Sequence, residues 1–315
     1  MTKLLIDCDP GVDDAMAILF ALNRRDADVI GISVARGNCS AAQGTENALR
    51  LLKLAGREGE IPVCMGAVEP LYGLREDRYP TSFHGENGLG NIKIPASSQK
   101  AVDEEVEDFL YRLALENEGE IVLIELGRMT NIARTVQKYP SFVKKIKRVV
   151  CMGGTVFAPG NSSPVAEANF YGDPEAIDLV MQQDWPLTVV GLDVTTAIHL
   201  YYDDLLKLAE RCREDCKEEV KFLCDINVCY QEGNRRQNRM FGYFPLHDPL
   251  ALIVALEPSI VNTRRMPARI ECEGKLTRGM IVTDRRDHPI EGKNVEFCLE
   301  VNERKVLDIL FDAFM

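Results

Sequence analysis

The chain has no excess of positive charge. Its 37 Lys and Arg stand against 49 Asp and Glu, a formal charge of −12 over 315 residues, which excludes a basic footprint for nucleic-acid backbones or anionic membranes. It has no run of about 18 apolar residues, and its start, MTKLLIDCD, lacks the apolar stretch of a signal peptide. A soluble, cytoplasmic protein is expected. No GxxxxGK, and no GxGxxG following a strand, is present, which removes two phosphate-cradling loops. No CxxC pair occurs. The ten cysteines are dispersed, several in apolar runs (Cys64, Cys151, Cys272, Cys298), and read as reduced core residues. Cys212, Cys216, Cys224 and Cys229 have the wrong spacing for structural zinc. Disorder is excluded as well, because 46% hydrophobic content supports a large core.

What the chain does have is a concentration of acid at one point. Leu4 to Ile6 reads as a buried strand, Pro10 and Gly11 stop it, and Ala15, Ile18, Leu19 and Leu22 fall at helical spacing. Asp7, Asp9, Asp13 and Asp14 therefore lie at a strand's carboxyl end and in a helix's first turn. Capping that helix needs one acid, not four. Four carboxylates in a partly dry site repel one another unless a hard cation offsets them, and oxygen-only ligands suit calcium or magnesium rather than zinc. A metal-dependent active site at the first strand–helix turn is the expectation.

The same alternation recurs down the chain. Strands are expected at 29–34, 61–65, 121–126, 146–152 and 187–194, and helices at 45–54, 102–115 and after Asn131. Asp173-Pro174-Glu175 reads as a cap with proline at the first helical position, opening a helix to about Gln182. The polar stretch 69–99 holds His84-Gly85-Glu86-Asn87-Gly88-Leu89-Gly90, a glycine density that marks a shaped loop. Residues 201–230 are helical and charged, 231–239 are a polar stretch, and His247-Asp248-Pro249 precedes a helix at 250–256. A meander at 268–272, 279–282 and 295–301 precedes a closing helix. This predicts an α/β fold over 1–315, a single domain built on a doubly wound, mostly parallel sheet with an added C-terminal helical and β-meander region. Ligands bind such sheets beyond the carboxyl ends of the strands, where Asp7, Asp9, Asn38, the backbone near Leu126, Met152, Glu167 and Asn169 collect.

Taken one at a time, the histidines are ambiguous. His247 beside Asp248 suits a loop histidine before a helix cap as well as a catalytic group. His84 is as readily solvated as ligand-facing, and His199 and His288 read as surface residues.

The residues together resemble a known family. Asp7-Cys8-Asp9-Pro10-Gly11-Val12-Asp13-Asp14 is similar to the DxDxGxDD signature of nucleoside hydrolases, the N-ribohydrolases that cleave purine and pyrimidine ribonucleosides. Gly37-Asn38, His84-Gly85 to Gly90, Leu126-Gly127 to Ala133, Met152-Gly153-Gly154, Glu167-Ala168-Asn169, Asp173-Pro174-Glu175, Gly191-Leu192-Asp193 and His247-Asp248-Pro249 resemble further family blocks in order along the chain. The resemblance implies one calcium ion per subunit, held by the carboxylates of Asp9, Asp14 and Asp248 and the backbone carbonyl of Leu126. It implies ribose contacts from Asp13, Asn38, Asn161, Glu167 and Asn169, with Met152 packed on the sugar. Asp9 would activate water, and His247, as in the inosine–uridine-preferring branch, would serve the leaving base, with His84 a second candidate. A homodimer or homotetramer is implied too. Two other readings stand beside this one: an aspartyl-phosphate-type phosphatase with Asp7 as nucleophile and Asp9 as acid, and a non-catalytic calcium-dependent nucleoside- or sugar-binding protein. In the hydrolase reading Asp7 supports the turn and its neighbours' geometry.

Overall fold

The computed structural model describes residues 1–72, 78–238, 242–284, 286–287 and 291–315. Six short apolar runs form parallel strands: β1 (Thr2–Cys8), β2 (Ala27–Val34), β3 (Val63–Met65), β4 (Val122–Glu125), β5 (Arg148–Met152) and β6 (Leu187–Val190). Their middles are largely apolar because helices cover both faces of the sheet, while Asp7 and Glu125 stand at the carboxyl ends of β1 and β4. Along β1, Leu4, Ile6 and Cys8 enter one core and Leu5 the other.

The intervening helices are α1 (Val12–Asn23), α2 (Ala41–Leu54), α3 (Thr81–His84), α4 (Val106–Glu116), α5 (Thr130–Lys138), α6 (Ala168–Gly172) and α7 (Pro174–Met181). α2, α4 and α7 each bury one stripe, whereas α1 is buried without a break from Asp14 to Ala21. Local chemistry starts them: the Ser40 hydroxyl accepts the Gln43 amide at 3.1 Å to cap α2, and the Asp173 carboxylate accepts the Ala176 amide at 3.2 Å to cap α7. After β6 come α8 (Leu192–Thr195), β7 (Leu200–Tyr201), α9 (Tyr202–Arg211), α10 (Lys217–Asn238), β8 (Tyr243–Phe244) and α11 (Asp248–Leu256). The chain closes with β9 (Val261–Ile270), β10 (Ile281–Thr283), β11 (Lys293–Val301) and α12 (Glu303–Asp312).

The main sheet runs β10-β9-β11-β6-β5-β4-β1-β2-β3. β11 joins β6 in parallel, and β9 runs antiparallel to both of its neighbours, β11 and β10. The parallel part thus has the doubly wound order 3-2-1-4-5-6, whose direction of winding reverses between β1 and β4. That reversal opens a crevice beyond the ends of those two strands, and Asp9 follows one while Leu126 follows the other.

Several expected boundaries move. The strand expected at 187–194 stops at Val190, because Gly191 caps α8 and the Leu192 amide bonds the Gly154 carbonyl at 2.9 Å. The polar stretch 231–239 is helix through Asn238; Arg239 lies outside the described residues, as does His288. Its polarity belongs to a solvated face, where Glu232 pairs with Arg235 at 2.7 Å and Arg236 at 2.6 Å one turn on. The strand expected at 268–272 begins at Val261 and ends at Ile270, because β11 pairs with it along its length. His199 is half-buried, 3.1 Å from Glu303. Among the described residues no helix is long and apolar enough to cross a membrane.

Candidate active site

The first strand–helix turn folds back on itself. Asp14, in the first turn of α1, accepts the amides of Gly11 at 2.9 Å and Asp9 at 3.1 Å, so one of the four acids does perform the capping role. Its second oxygen also receives the Asn38 side-chain amide at 3.0 Å. Asn38, at the end of β2, holds Asp9 as well, through its backbone amide at 2.9 Å and its side chain at 3.4 Å.

α1 packs on α11, which brings Asp248 to the same point from the far end of the chain. Asp13, Asp14 and Asp248 each offer an oxygen within 4.8 Å of the others, a group able to hold a metal ion. Asp13 joins this cluster although the family resemblance put it on the ribose. The carboxyls are pushed up: Asp13 and Asp14 to about 6, chiefly by burial. Asp9 and Asp248 rise well above the ordinary range through burial and then through repulsion by their neighbours. Asp13 Oδ1 is buried with no hydrogen-bond partner among the described residues. An orphaned carboxylate oxygen in an all-oxygen cluster is the donor set of a hard cation, so these residues fit a calcium- or magnesium-type ion.

Asp7 stands apart. The sheet register sets it between Ser33 of β2 and Glu125 of β4. Ser33 and Asn131, the latter at 2.7 Å, donate to one of its oxygens. Its other oxygen and Glu125 Oε2 meet no other donor among the described residues; the two carboxyls face each other, with Glu125 as the protonated partner donating to Asp7. Burial raises both, and mutual repulsion raises Glu125 further. Glu125 Oε1 in turn accepts the Gly127 amide at 2.9 Å and the Met129 amide at 3.4 Å. This pair braces the turn carrying Leu126, whose follower Met129 adopts a left-handed φ of 59°. Asp7 is fully buried and does not line the cavity, so a nucleophilic role for it in phosphate transfer has no access to substrate.

One cavity brings the remaining candidates together. Asp13, Asn38, His84, Leu126, Met152, Asn161, Glu167, Asn169, His247 and Asp248 all line it; Asp9 lies behind Asn38, lining the adjoining hollow with Asn169. Glu167 caps α6 and accepts three backbone donors, the amides of Asn169 and Gly154 at 2.9 Å and Phe170 at 3.2 Å. Asn169 donates to the Leu126 carbonyl at 2.8 Å, and Asn161 accepts the Ala168 amide at 3.0 Å.

The two histidines are neutral. Burial takes His84 down to about 4, and burial with the neighbouring His84 takes His247 down to about 4. His84 Nδ1 accepts the Val12 amide at 3.1 Å, which places its proton on Nε2. For the same reason its 3.8 Å approach to Asp13 Oδ1 is a contact between an acceptor and a carboxylate, not an ion pair.

Tyr230, at the end of the stretch read as helical, and Asn234, in the stretch read only as polar, also line the cavity. α10 delivers them on one buried stripe, Leu223, Asn227, Tyr230 and Asn234, and that spacing of four, three and four was the available signal. Tyr230 lies 3.4 Å from Asp13 Oδ2 by its hydroxyl and tilts its ring over His84, centroids 5.6 Å apart.

A family model described as inosine-uridine preferring nucleoside hydrolase matches residues 4–308. The chain is 37% identical over 273 residues to uridine nucleosidase 1 of Arabidopsis thaliana, covering 86% of this chain and 79% of that one. It is 34% identical over 313 residues to the inosine-uridine preferring nucleoside hydrolase of Crithidia fasciculata, covering 99% and 96%. A solved plant nucleoside hydrolase superposes with a TM-score of 0.93 at 32% identity, over 99% of this chain and 98% of that one. With its acid-rich cavity at the winding reversal of a doubly wound sheet, the chain belongs to the inosine-uridine preferring nucleoside hydrolases and is a ribonucleoside N-ribohydrolase.

Proposed function

We propose that the chain hydrolyses the N-glycosidic bond of uridine and inosine to free base and ribose by direct attack of water, with inversion, and with one calcium ion per subunit. The observation that carries this reading is the convergence of Asp9, the Asp13–Asp14–Asp248 cluster and His247 at one crevice. Asp9, Asp14, Asp248 and the Leu126 carbonyl would hold the calcium ion, which when bound would supply charge that offsets the carboxylates' repulsion and would acidify water.

Asp9, held by the backbone and side-chain amides of Asn38, receives the proton of the attacking water. Asp13, Asn38, Asn161, Glu167 and Asn169 orient the ribose hydroxyls, and Met152 packs against the sugar. A polyol lacking one hydroxyl would leave such groups unpaired, which gives discrimination. The bond breaks through an oxocarbenium-like state with no covalent intermediate. His247, with His84 beside it, gives a hydrogen bond or a proton to the departing base.

The match across residues 4–308 supports reading 1–315 as one domain. The family resemblance supports a homodimer or homotetramer, which sedimentation tests; fractionation tests the cytoplasmic location. The deciding assay is reducing-sugar release from uridine, inosine, cytidine and adenosine, with and without calcium. Ribose release that requires calcium is the expected result; no release from any ribonucleoside overturns the reading.

A further inference from the structure

α8 is a single turn directly after β6, and two of its side chains reach two separate segments that supply cavity residues, one carrying His247 and one leading to Asn161. Thr195 is fully buried, and its hydroxyl lies 2.9 Å from His247 Nδ1 across 52 residues of chain. Among the described residues that hydroxyl has no other hydrogen-bond partner. A buried hydroxyl whose proton has no acceptor is costly, and Nδ1 is the acceptor on offer. Thr195 therefore donates, Nδ1 carries no proton, and the His247 proton resides on Nε2, the nitrogen left for the cavity.

Asp193, two residues earlier, holds the segment that leads to Asn161. Its carboxylate accepts the amides of Val156 at 2.7 Å, Phe157 at 2.7 Å and Ala158 at 3.0 Å. Three successive amides on one carboxylate fix the entry of the loop that carries Asn161. The Leu192 amide on the Gly154 carbonyl stitches α8 to the same segment.

We propose that Thr195 and Asp193 are positioning residues: α8 sets the tautomer and aim of His247 on the leaving-group side and anchors the Asn161 loop on the ribose side. The kinetic part of this rests on the leaving-group role proposed above for His247. The tautomer part does not.

The test uses the full chain. With only four histidines in the sequence, side-chain 15N spectra at one fixed pH resolve the His247 nitrogens, assigned by loss of signal in His247→Ala. Wild type and Thr195→Ser should show the Nε2–H pattern, and Thr195→Val a mixture of tautomers. Unchanged His247 shifts in Thr195→Val overturn the proposal. In kinetics, Thr195→Val should lower turnover of inosine by about tenfold or more, within the range of a general-acid contribution. Turnover of p-nitrophenyl riboside, whose leaving group needs no proton, should change less than about twofold. Adding it to His247→Ala should cost nothing further, and Thr195→Ser should restore the rate. Asp193→Asn should raise KM about tenfold for both substrates alike, as for loss of an anchoring hydrogen-bond set. Equal losses on both substrates in Thr195→Val, or a leaving-group-dependent loss in Asp193→Asn, overturn it. If wild type releases no ribose from any riboside, the hydrolase reading fails, and the nitrogen spectra still decide the Thr195 contact.

Discussion

Asn38 holds both oxygens of Asp9, one through its backbone amide at 2.9 Å and the other through its side chain at 3.4 Å. The clamp works because residue 37 has no side chain: a Cβ there would lie 1.5 Å from Asp9 Oδ2. Gly37→Ala should therefore push the carboxylate off its mark and lower kcat about 100-fold, with Asp9→Ala lower by about 10²–10⁴. Both should keep their circular-dichroism spectra. Near-wild-type turnover by Asp9→Ala removes it as the base.

The buried carboxylates at the crevice repel one another, so a bound cation stabilises the folded chain. Chelation with EDTA should abolish ribose release and calcium should restore it. Thermal midpoint should rise with calcium, corresponding to about 2.7 kcal/mol at a hundredfold excess over Kd. Full activity after exhaustive chelation, with a midpoint indifferent to calcium, rules out the metal.

His247→Ala should reduce hydrolysis of inosine by about 10²–10⁴ and spare p-nitrophenyl riboside. The imidazole is neutral because burial holds it near 4, so inosine turnover should show no loss attributable to a histidine near its ordinary 6.5. Equal losses on the two substrates would take His247 out of the leaving-group role.

Away from the crevice, Glu219 is buried beside Asn23, which donates to it at 2.5 Å. Burial lifts its carboxyl from 4.5 to about 7. Between those values the folded chain keeps a proton that the unfolded chain has lost, so stability falls as pH rises through this window and stays low above it. Glu219→Gln keeps an acceptor for Asn23 and never ionises. It should raise the melting midpoint by about 2–4 °C or more near pH 8, on the order of 1–3 kcal/mol, and give no gain near pH 4.5. A gain of equal size at both pH values refutes the assignment.

Much of this site is legible in the sequence because its parts are local. The run from Leu4 to Ala15 shows its strand end, its stop and its helix start within one short segment, and the Asp173-Pro174 cap does the same. Period and capping chemistry act over a few residues. The stretch 231–239 misleads for the opposite reason: charged residues that pair on a helix surface have the composition of a loop, and only the buried face carrying Tyr230 and Asn234 tells them apart.

Taken alone, the sequence determined the class of the protein: alternating strands and helices, an acid cluster at the first turn, and residues of the right type in the right order. Tertiary structure decided how those residues divide the work. Sheet register turned Asp7 inward against Glu125 and away from the cavity, the packing of α1 on α11 carried Asp248 to Asp13 and Asp14, and α8 set Thr195 against His247. Contacts between residues far apart in the chain depend on strand order and helix packing, which no local pattern of hydrophobicity or charge records.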